Sequence, residues 1–235
     1  MAAEEIIILV GGLGTRLRQV VPDLPKPLAP VAGRPFLAWL LDACADAGLR
    51  RVILATGYRA HQIEEQVGDR WRDMEVVHSV EESPLGTGGA IRQALAYVRG
   101  DGVHLANGDT FLRYDPRALE DATRARGCVL GIALAAVDDV GRYGAVEVAD
   151  GRVVGFREKG GVGAGLINAG SYFLAAEGFA RLPDAAGAWS FEEQVLRPWS
   201  AAGQVAAFER TSDFIDIGVP EDYARAQSLF SAPPP

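Results

Sequence analysis

Short aliphatic runs alternate with amphipathic stretches through the first half of the chain, and that alternation leaves few folds open. Residues 6–10, 52–55 and 103–106 are mostly aliphatic or β-branched, and residues 75–78 read as extended. Runs this short and apolar belong to buried strands rather than helices, because a parallel strand loses both faces to the core. Between them, residues 34–48 place Leu37, Leu40, Leu41 and Cys44 on one helical face, with Pro35 suited to the first turn and Gly48 to the end. Residues 59–67 and 88–98 also read as helices, the second with Ile91, Ala94, Leu95 and Val98 on one side. Strand and helix in repetition predict βαβ units and a Rossmann-like α/β sheet, mixed but mostly parallel and flanked by helices.

The pattern changes near residue 127. Residues 129–137 read as a strand, 145–148 and 153–156 as a β-hairpin around Asp150-Gly151, and 166–174 and 204–208 as further strands. Helices are expected at 191–199 and 219–229. The second half therefore adds a small β-rich lobe. Neither a repeat nor a low-complexity linker interrupts the chain, so residues 1–230 are expected to form one domain, with 231–235 as a disordered tail.

Composition narrows the function classes. Of 235 residues, 49% are hydrophobic and 23% charged, which excludes a disordered, collagen-like or disulfide-stapled chain. A net charge of -8 disfavours nucleic-acid binding, which needs clustered Lys and Arg to displace counterions, but leaves a small phosphate ligand open. Cys44 and Cys128 lack metal or redox spacing and read as buried small hydrophobes in a reducing compartment. His61, His78 and His104 are too scattered for a zinc site, and Trp39, Trp71, Trp189 and Trp199 have no basic strip beside them and read as packing residues. With neither a basic, long-apolar leader nor a run of roughly 20 apolar residues, a cytoplasmic protein without a membrane segment is the expectation.

The segment Gly11-Gly12-Leu13-Gly14-Thr15-Arg16 directly follows the first strand, and Lys26 follows it in Leu24-Pro25-Lys26-Pro27. Glycines at that place let the backbone approach a ligand and turn successive N–H groups toward phosphate oxygens. Leu17 takes the place of the third glycine of a dinucleotide fingerprint, and the closing Gly-Lys-Ser/Thr of a P-loop is absent, so an ordinary glycine-rich turn also fits the loop by itself. Arg16 and Lys26 bracket it with a planar, bidentate cation and a point charge, as a triphosphate and its transition state require. Asn107-Gly108-Asp109 ends a buried strand, at the carboxyl end of the sheet where ligands of open α/β folds collect. Asp109 is there either a cap or turn residue or a ligand for a hard cation such as Mg²⁺. Asp216, between Ile215 and Ile217, is a second such carboxylate or a solvent-facing strand residue.

The run GGLGTRL followed by PKPLAPVAGRP resembles the signature of the sugar-1-phosphate nucleotidylyltransferases, with Val10 where the family usually has Ala. The resemblance continues, in the family's order, through residues 82–89, Asn107-Gly108-Asp109, Phe156-Arg157-Glu158-Lys159, Asn168-Ala169-Gly170 and Phe214-Ile215-Asp216-Ile217-Gly218. It implies that Arg16 and Lys26 are catalytic. It implies a nucleotide site at Gly11, Gly12, Gly14, Thr15, Pro84, Gly86, Thr87 and Gly88, the glycines of 86–89 leaving room for the base. Without the family, those glycines are simply the start of the next helix. It further implies a sugar-phosphate site at Asn107, Gly144, Glu158, Lys159, Asn168 and Gly170, Mg²⁺ on Asp109 and Asp216, and the β-rich lobe on the sugar side. The implied partners are a nucleoside triphosphate and a sugar 1-phosphate, and a homo-oligomer is compatible with them.

The implied reaction is in-line attack of a sugar 1-phosphate oxygen on the α-phosphorus of the triphosphate, releasing pyrophosphate. Its nucleophile is already an anion, so positioning and charge neutralisation take the place of a general base. Residues 36–41, 79–89 and 189–192 look most like the branch that guanylylates D-glycero-D-manno-heptose 1-phosphate. Mannose-1-phosphate and cyclitol-phosphate guanylyltransferases, N-acetylmuramate-1-phosphate uridylyltransferases and a non-catalytic nucleotide-sugar sensor are the rivals. Glu158 and Asn168 favour a polyhydroxyl acceptor over phosphocholine, which calls for an aromatic cage. Arg16→Ala is expected to lower turnover by roughly 10²-fold or more, measured as Mg²⁺-dependent pyrophosphate release. An unchanged rate would remove Arg16 from the catalytic role.

Overall fold

The computed structural model describes residues 2–12, 24–185 and 187–231. Its first half runs β1 (Glu5–Leu9), β2 (Pro30–Val31), β3 (Arg34–Pro35), α1 (Phe36–Asp46), β4 (Arg51–Thr56), α2 (Ala60–Val67), β5 (Arg70–Trp71), β6 (Met74–Val80), α3 (Gly86–Ala94) and β7 (Gly102–Asn107). Next come β8 (Thr110–Arg113), α4 (Pro116–Ala125), β9 (Leu130–Val137), β10 (Val146–Ala149), β11 (Arg152–Phe156) and β12 (Gly165–Ala175). The chain closes with α5 (Ala176–Phe179), α6 (Arg197–Ala201), β13 (Val205–Phe208), β14 (Ser212–Asp216) and α7 (Pro220–Ser231).

Among the described residues one ten-stranded sheet has the order β10-β11-β13-β9-β12-β7-β1-β4-β6-β5. Strands β5, β11 and β12 run against the rest, so the sheet is mixed but mostly of one direction. The β-rich second half extends this same sheet through β9 to β13, while β8 and β14 pair separately. Alternation along β1 divides the core: Ile6 and Ile8 pack with Val52 and Leu54 beneath Phe36, Leu37 and Leu41 of α1. Ile7 faces the other way, with Ile53 and Leu105, toward Ala90, Ile91 and Ala94 of α3. Each fully buried aliphatic or aromatic side chain of this kind stabilises the fold by roughly 1.5–3 kcal/mol. None of the helices among the described residues is long and apolar enough to cross a membrane.

Several boundaries differ from those read in the sequence, each for a local reason. Pro35 lies outside α1: Arg34 and Pro35 pair with Val31 and Pro30 around Ala32 and Gly33, both at positive φ, and the extended Pro35 delays the helix to Phe36. Helix α4 has no counterpart in the sequence reading, although Asp115 caps it through the amides of Arg117 (2.9 Å) and Ala118 (3.4 Å) and Pro116 opens it. The expected helix at 191–199 begins as a π-helical turn, Glu192–Leu196, before α6. The hairpin forms as expected, with Asp150 and Gly151 both at positive φ as a type I′ turn requires. Ser231 ends α7, and residues 232–235 of the expected tail lie outside the described residues.

Glu5 of β1 and Arg51 of β4 stand opposite one another and are both buried. Arg51 Nη1 donates to Glu5 Oε1 at 3.0 Å, while Glu5 Oε2 accepts from the amides of Arg99 (2.8 Å) and Gly100 (2.6 Å). Removing one member of such a pair leaves the other charge buried and unpaired, at a cost of about 3–5 kcal/mol. Arg51→Ala is therefore expected to lower unfolding free energy by about that amount in urea titrations.

Candidate active site

Strands β1, β4, β6 and β7 run the same way, so the loops leaving them open on one edge of the sheet. A cavity of about 470 Å³ lies there, lined by Leu9, Gly11, Gly12, Gly57, Tyr58, Glu81, Pro84, Gly86 and Thr87, among others. A second cavity of about 200 Å³ shares Leu9 and Thr87 with it and continues past Asn107, Tyr172, Ser190 and Glu192. Gly11 and Gly12 thus line a cavity at the carboxyl end of β1. Gly14, Thr15 and Arg16 lie outside the described residues. At Gly11 the backbone passes so near its neighbours that a Cβ would stand 3.0 Å from Glu81 Oε1 and 3.2 Å from the Gly57 amide nitrogen.

Glu81 was not singled out in the sequence, although a carboxylate directly after a buried strand is the same signal that marked Asp109. Its Oε2 accepts the Leu85 amide at 2.8 Å. Burial raises the Glu81 carboxyl above its usual value, and the Leu85 hydrogen bond opposes that shift.

The glycines of the next segment have a different neighbour from the one expected. A Cβ on Gly88 would lie 1.9 Å from the indole of Trp189, and one on Gly86, at φ +68°, would lie 2.5 Å from the Trp189 carbonyl oxygen. Backbone hydrogen bonds of 3.0 Å run from Gly88 to Trp189 and from Trp189 to Leu85. Gly88 makes room for Trp189 and is not among the residues that line either cavity. Gly86, Pro84 and Thr87 do line the larger one, and Thr87 Oγ1 accepts the Phe191 amide at 2.9 Å.

Antiparallel pairing of β8 with β14 sets Asp216 opposite Thr110 and so beside Asp109. Lys26 enters on a 3₁₀ turn stiffened by Pro25 and Pro27, and its Nζ donates to Asp109 Oδ2 at 2.5 Å with Asp216 Oδ1 at 3.8 Å. Gly218 keeps this junction open: its amide donates to Asp216 Oδ1 at 2.7 Å, and a Cβ there would come within 2.7 Å of Lys26 Nζ. Two carboxylates from separate elements thus already share one cation. No cluster of three potential ligands exists among the described residues, so a metal on Asp109 and Asp216 would complete its shell with substrate phosphate and water, as Mg²⁺ prefers.

Beyond Asn107 the remaining predicted residues separate into two groups. Asn168 stands at a bulge in β12, where the register with β9 slips between Asn168 and Ser171. Gly170, at φ +69°, leaves space for Asn107, whose Nδ2 would lie 2.5 Å from a Cβ there. Asn168 Nδ2 donates to Glu192 Oε1 at 3.0 Å, and the Tyr172 hydroxyl donates to Asn168 Oδ1 at 3.0 Å. Burial, then the nearby Glu192 carboxylate, holds the Tyr172 phenol protonated well above its usual range. Glu158 and Lys159 stay apart from this group, both exposed and lining neither cavity; Glu158 pairs with Arg197 at 3.2 Å. Gly144, at φ +82°, lets its loop close on the carbonyl oxygen of Arg157.

A glycine-lined cavity on the carboxyl edge of a mostly parallel sheet, with two carboxylates converging on a lysine shortly after the end of β7, suits an enzyme that handles nucleotides. The chain belongs to the nucleotidyl transferase family, whose sequence model matches residues 5–232. It is 39% identical to the D-glycero-alpha-D-manno-heptose 1-phosphate guanylyltransferase of Aneurinibacillus thermoaerophilus, over 95% of this chain and 96% of that one. Identity to the enzyme of that name from Campylobacter jejuni is 38%, over 93% and 96% of the two chains. The crystal structure of HddC from Yersinia pseudotuberculosis complexed with GMP-PN is similar with a TM-score of 0.84 and 38% identity, covering 98% of this chain and all of that one. Enzymes of the family generally use a divalent metal.

Gly88→Ala tests the Trp189 packing. Displacing the indole is expected to cost about 1–3 kcal/mol in chemical denaturation and to weaken nucleotide binding through the shared segment. A variant as stable as the parent would show that the indole yields without cost.

Proposed function

We propose that this protein transfers GMP from GTP to D-glycero-D-manno-heptose 1-phosphate, forming GDP-heptose and releasing pyrophosphate. Glu81 is the observation that carries the choice of base. Guanine presents two adjacent N–H donors on one edge, from N1 and the 2-amino group, and an ionised carboxylate accepts both. Uracil and thymine set their single N–H between two carbonyl oxygens, which such a carboxylate repels. The Leu85 amide occupies one lone pair of Oε2 and leaves the others for the base. The choice of heptose is supported by two relatives of that activity matched along nearly their whole length.

In this reading Gly11 and Gly12, with Gly14, Thr15 and Arg16, hold the triphosphate through backbone amides and a guanidinium. Lys26 keeps Asp109 and Asp216 in place and lowers the negative charge that two approaching polyanions meet. Asn107 and Glu192 take the sugar hydroxyls in the smaller cavity, with Asn168 hydrogen-bonded to Glu192 behind them, while Glu158 and Lys159 receive the sugar and its phosphate from the exposed side. Mg²⁺ on Asp109 and Asp216 supplies charge neutralisation and Lewis-acid polarisation of phosphate oxygens when bound. Orientation then does most of the work, since the phosphate nucleophile is ionised before it arrives. Cys44 and Cys128 are free thiols, in keeping with a reducing compartment such as the cytoplasm.

Pyrophosphate release, with GTP, UTP, CTP, dTTP and ATP crossed against heptose, mannose, glucose and N-acetylmuramate 1-phosphates, tests the proposal. A signal confined to GTP with the heptose phosphate is expected, and one confined to UTP would overturn the assignment. Protonated Glu81 cannot accept both guanine N–H groups, and its pKa is raised. GTP affinity is therefore expected to fall on acidification at a higher pH than an ordinary glutamate, near 4.3, would give. Glu81→Gln is expected to remove that acid dependence and most of the preference for GTP.

A further inference from the structure

Arg142 lies between β9 and β10, two residues before Gly144, and no sequence motif drew attention to it. Its Nη2 pairs with Asp222 Oδ2 at 2.7 Å and with Asp216 Oδ2 at 3.4 Å. Asp222, buried on α7, also accepts the Tyr143 hydroxyl at 3.1 Å and pairs with Arg225 at 3.1 Å. The Arg142 guanidinium lies over the Tyr143 ring, 4.7 Å from its centroid, and that ring meets Phe214 edge-on at 5.4 Å. One nitrogen and one face therefore fix the group. Its Nε and Nη1 carry three further N–H groups that meet no described residue, and the side chain is about one-third exposed (36%).

The surroundings say what those donors face. Arg142's loop is tied to the loop that carries Glu158 and Lys159: Gly160 donates to Gly141 at 2.7 Å, Val140 to Gly163 at 3.0 Å and Arg157 to Ala145 at 2.8 Å. On its other side stands Asp216, part of the cluster with Lys26 and Asp109. A dianionic acceptor entering between these elements approaches three carboxylates, Asp109, Asp216 and Asp222. Lys26 is only a tenth exposed and already engaged by two of them, so it offers that acceptor little. A guanidinium anchored on one nitrogen and open on the others suits phosphate oxygens.

We infer that Arg142 is a catalytic residue that binds the phosphate of the acceptor sugar 1-phosphate, with Asp222 and the Tyr143 ring as its support. The inference rests on the proposed nucleotidyl transfer and adds to it a second cation that, with Lys159, holds the attacking phosphate, here beside Asp216. The test is titration calorimetry of D-glycero-D-manno-heptose 1-phosphate into enzyme loaded with α,β-methylene GTP, alongside steady-state kinetics, for the parent, Arg142→Gln and Arg142→Lys. Loss of charge-assisted hydrogen bonds is expected to weaken acceptor binding and raise its KM roughly 10- to 100-fold in Arg142→Gln. Binding of α,β-methylene GTP should be unchanged, and Arg142→Lys should recover part of the acceptor affinity. Unchanged acceptor affinity, or equal weakening of nucleotide and acceptor with a lower melting temperature, would make Arg142 a strut between its loop and α7 and overturn the inference. If Arg142→Gln does not fold, Arg142→Lys decides the matter: a severalfold higher acceptor KM supports the inference and an unchanged one overturns it. A parent enzyme that prefers another nucleotide or sugar phosphate would sink the proposed function alone, and the same comparison then applies with the pair it uses.

Discussion

A common direction of β6, β4, β1 and β7 is the constraint from which the rest of the molecule follows. Parallel strands cannot be joined by tight turns, so each must return through a helix, and every loop that follows a strand is delivered to the same edge. The glycine segment after β1, the Gly57-Tyr58 turn after β4, Glu81 after β6 and Asn107 at the end of β7 meet for that reason alone. None of them is near another in sequence. The apolar filling on both faces of β1 keeps these strand ends in fixed register.

The charged cluster beside the cavity has another origin. Lys26, Asp109, Asp216 and Asp222 come from a 3₁₀ turn, a strand end, the partner of β8 and the last helix, and they meet because β14 pairs with β8 in one register. A cation shared among partly buried carboxylates adds little net stability, since desolvation offsets most of the attraction. What the arrangement does supply is a place where negative charge is already organised around a positive centre, which suits phosphate chemistry.

Much of this was legible in the sequence, and the exceptions follow physical lines. Periodicity marked β1, β4, β7, α1 and the Asp150-Gly151 hairpin because each buries a face or demands a positive φ. Strand β8 escaped, and β14 showed only as one of two readings of Asp216, because a two-stranded ribbon packed at one end of a sheet needs no continuous apolar run. Helix α4 showed itself only through its cap, Asp115-Pro116. The motifs located the Asp109–Asp216 pair and Lys26, and the structure brings these together. The packing of Gly88 was not legible because a glycine's sequence cannot say which neighbour fills its missing side chain, here the Trp189 indole. Glu81 passed unnoticed because its importance comes from the depth of the cavity it lines.

Strand β12 is hydrogen-bonded along one side to β7 and along the other to β9, so the half that carries the larger cavity and the β-rich half share the ladders of one sheet. Such a seam cannot act as a hinge without breaking backbone hydrogen bonds in the middle of the sheet. The molecule is thus no clamp of two lobes that swing shut on their substrates. Any closure must come from the short connections at the strand ends, and selectivity must reside in a rim of loops mounted on a rigid floor.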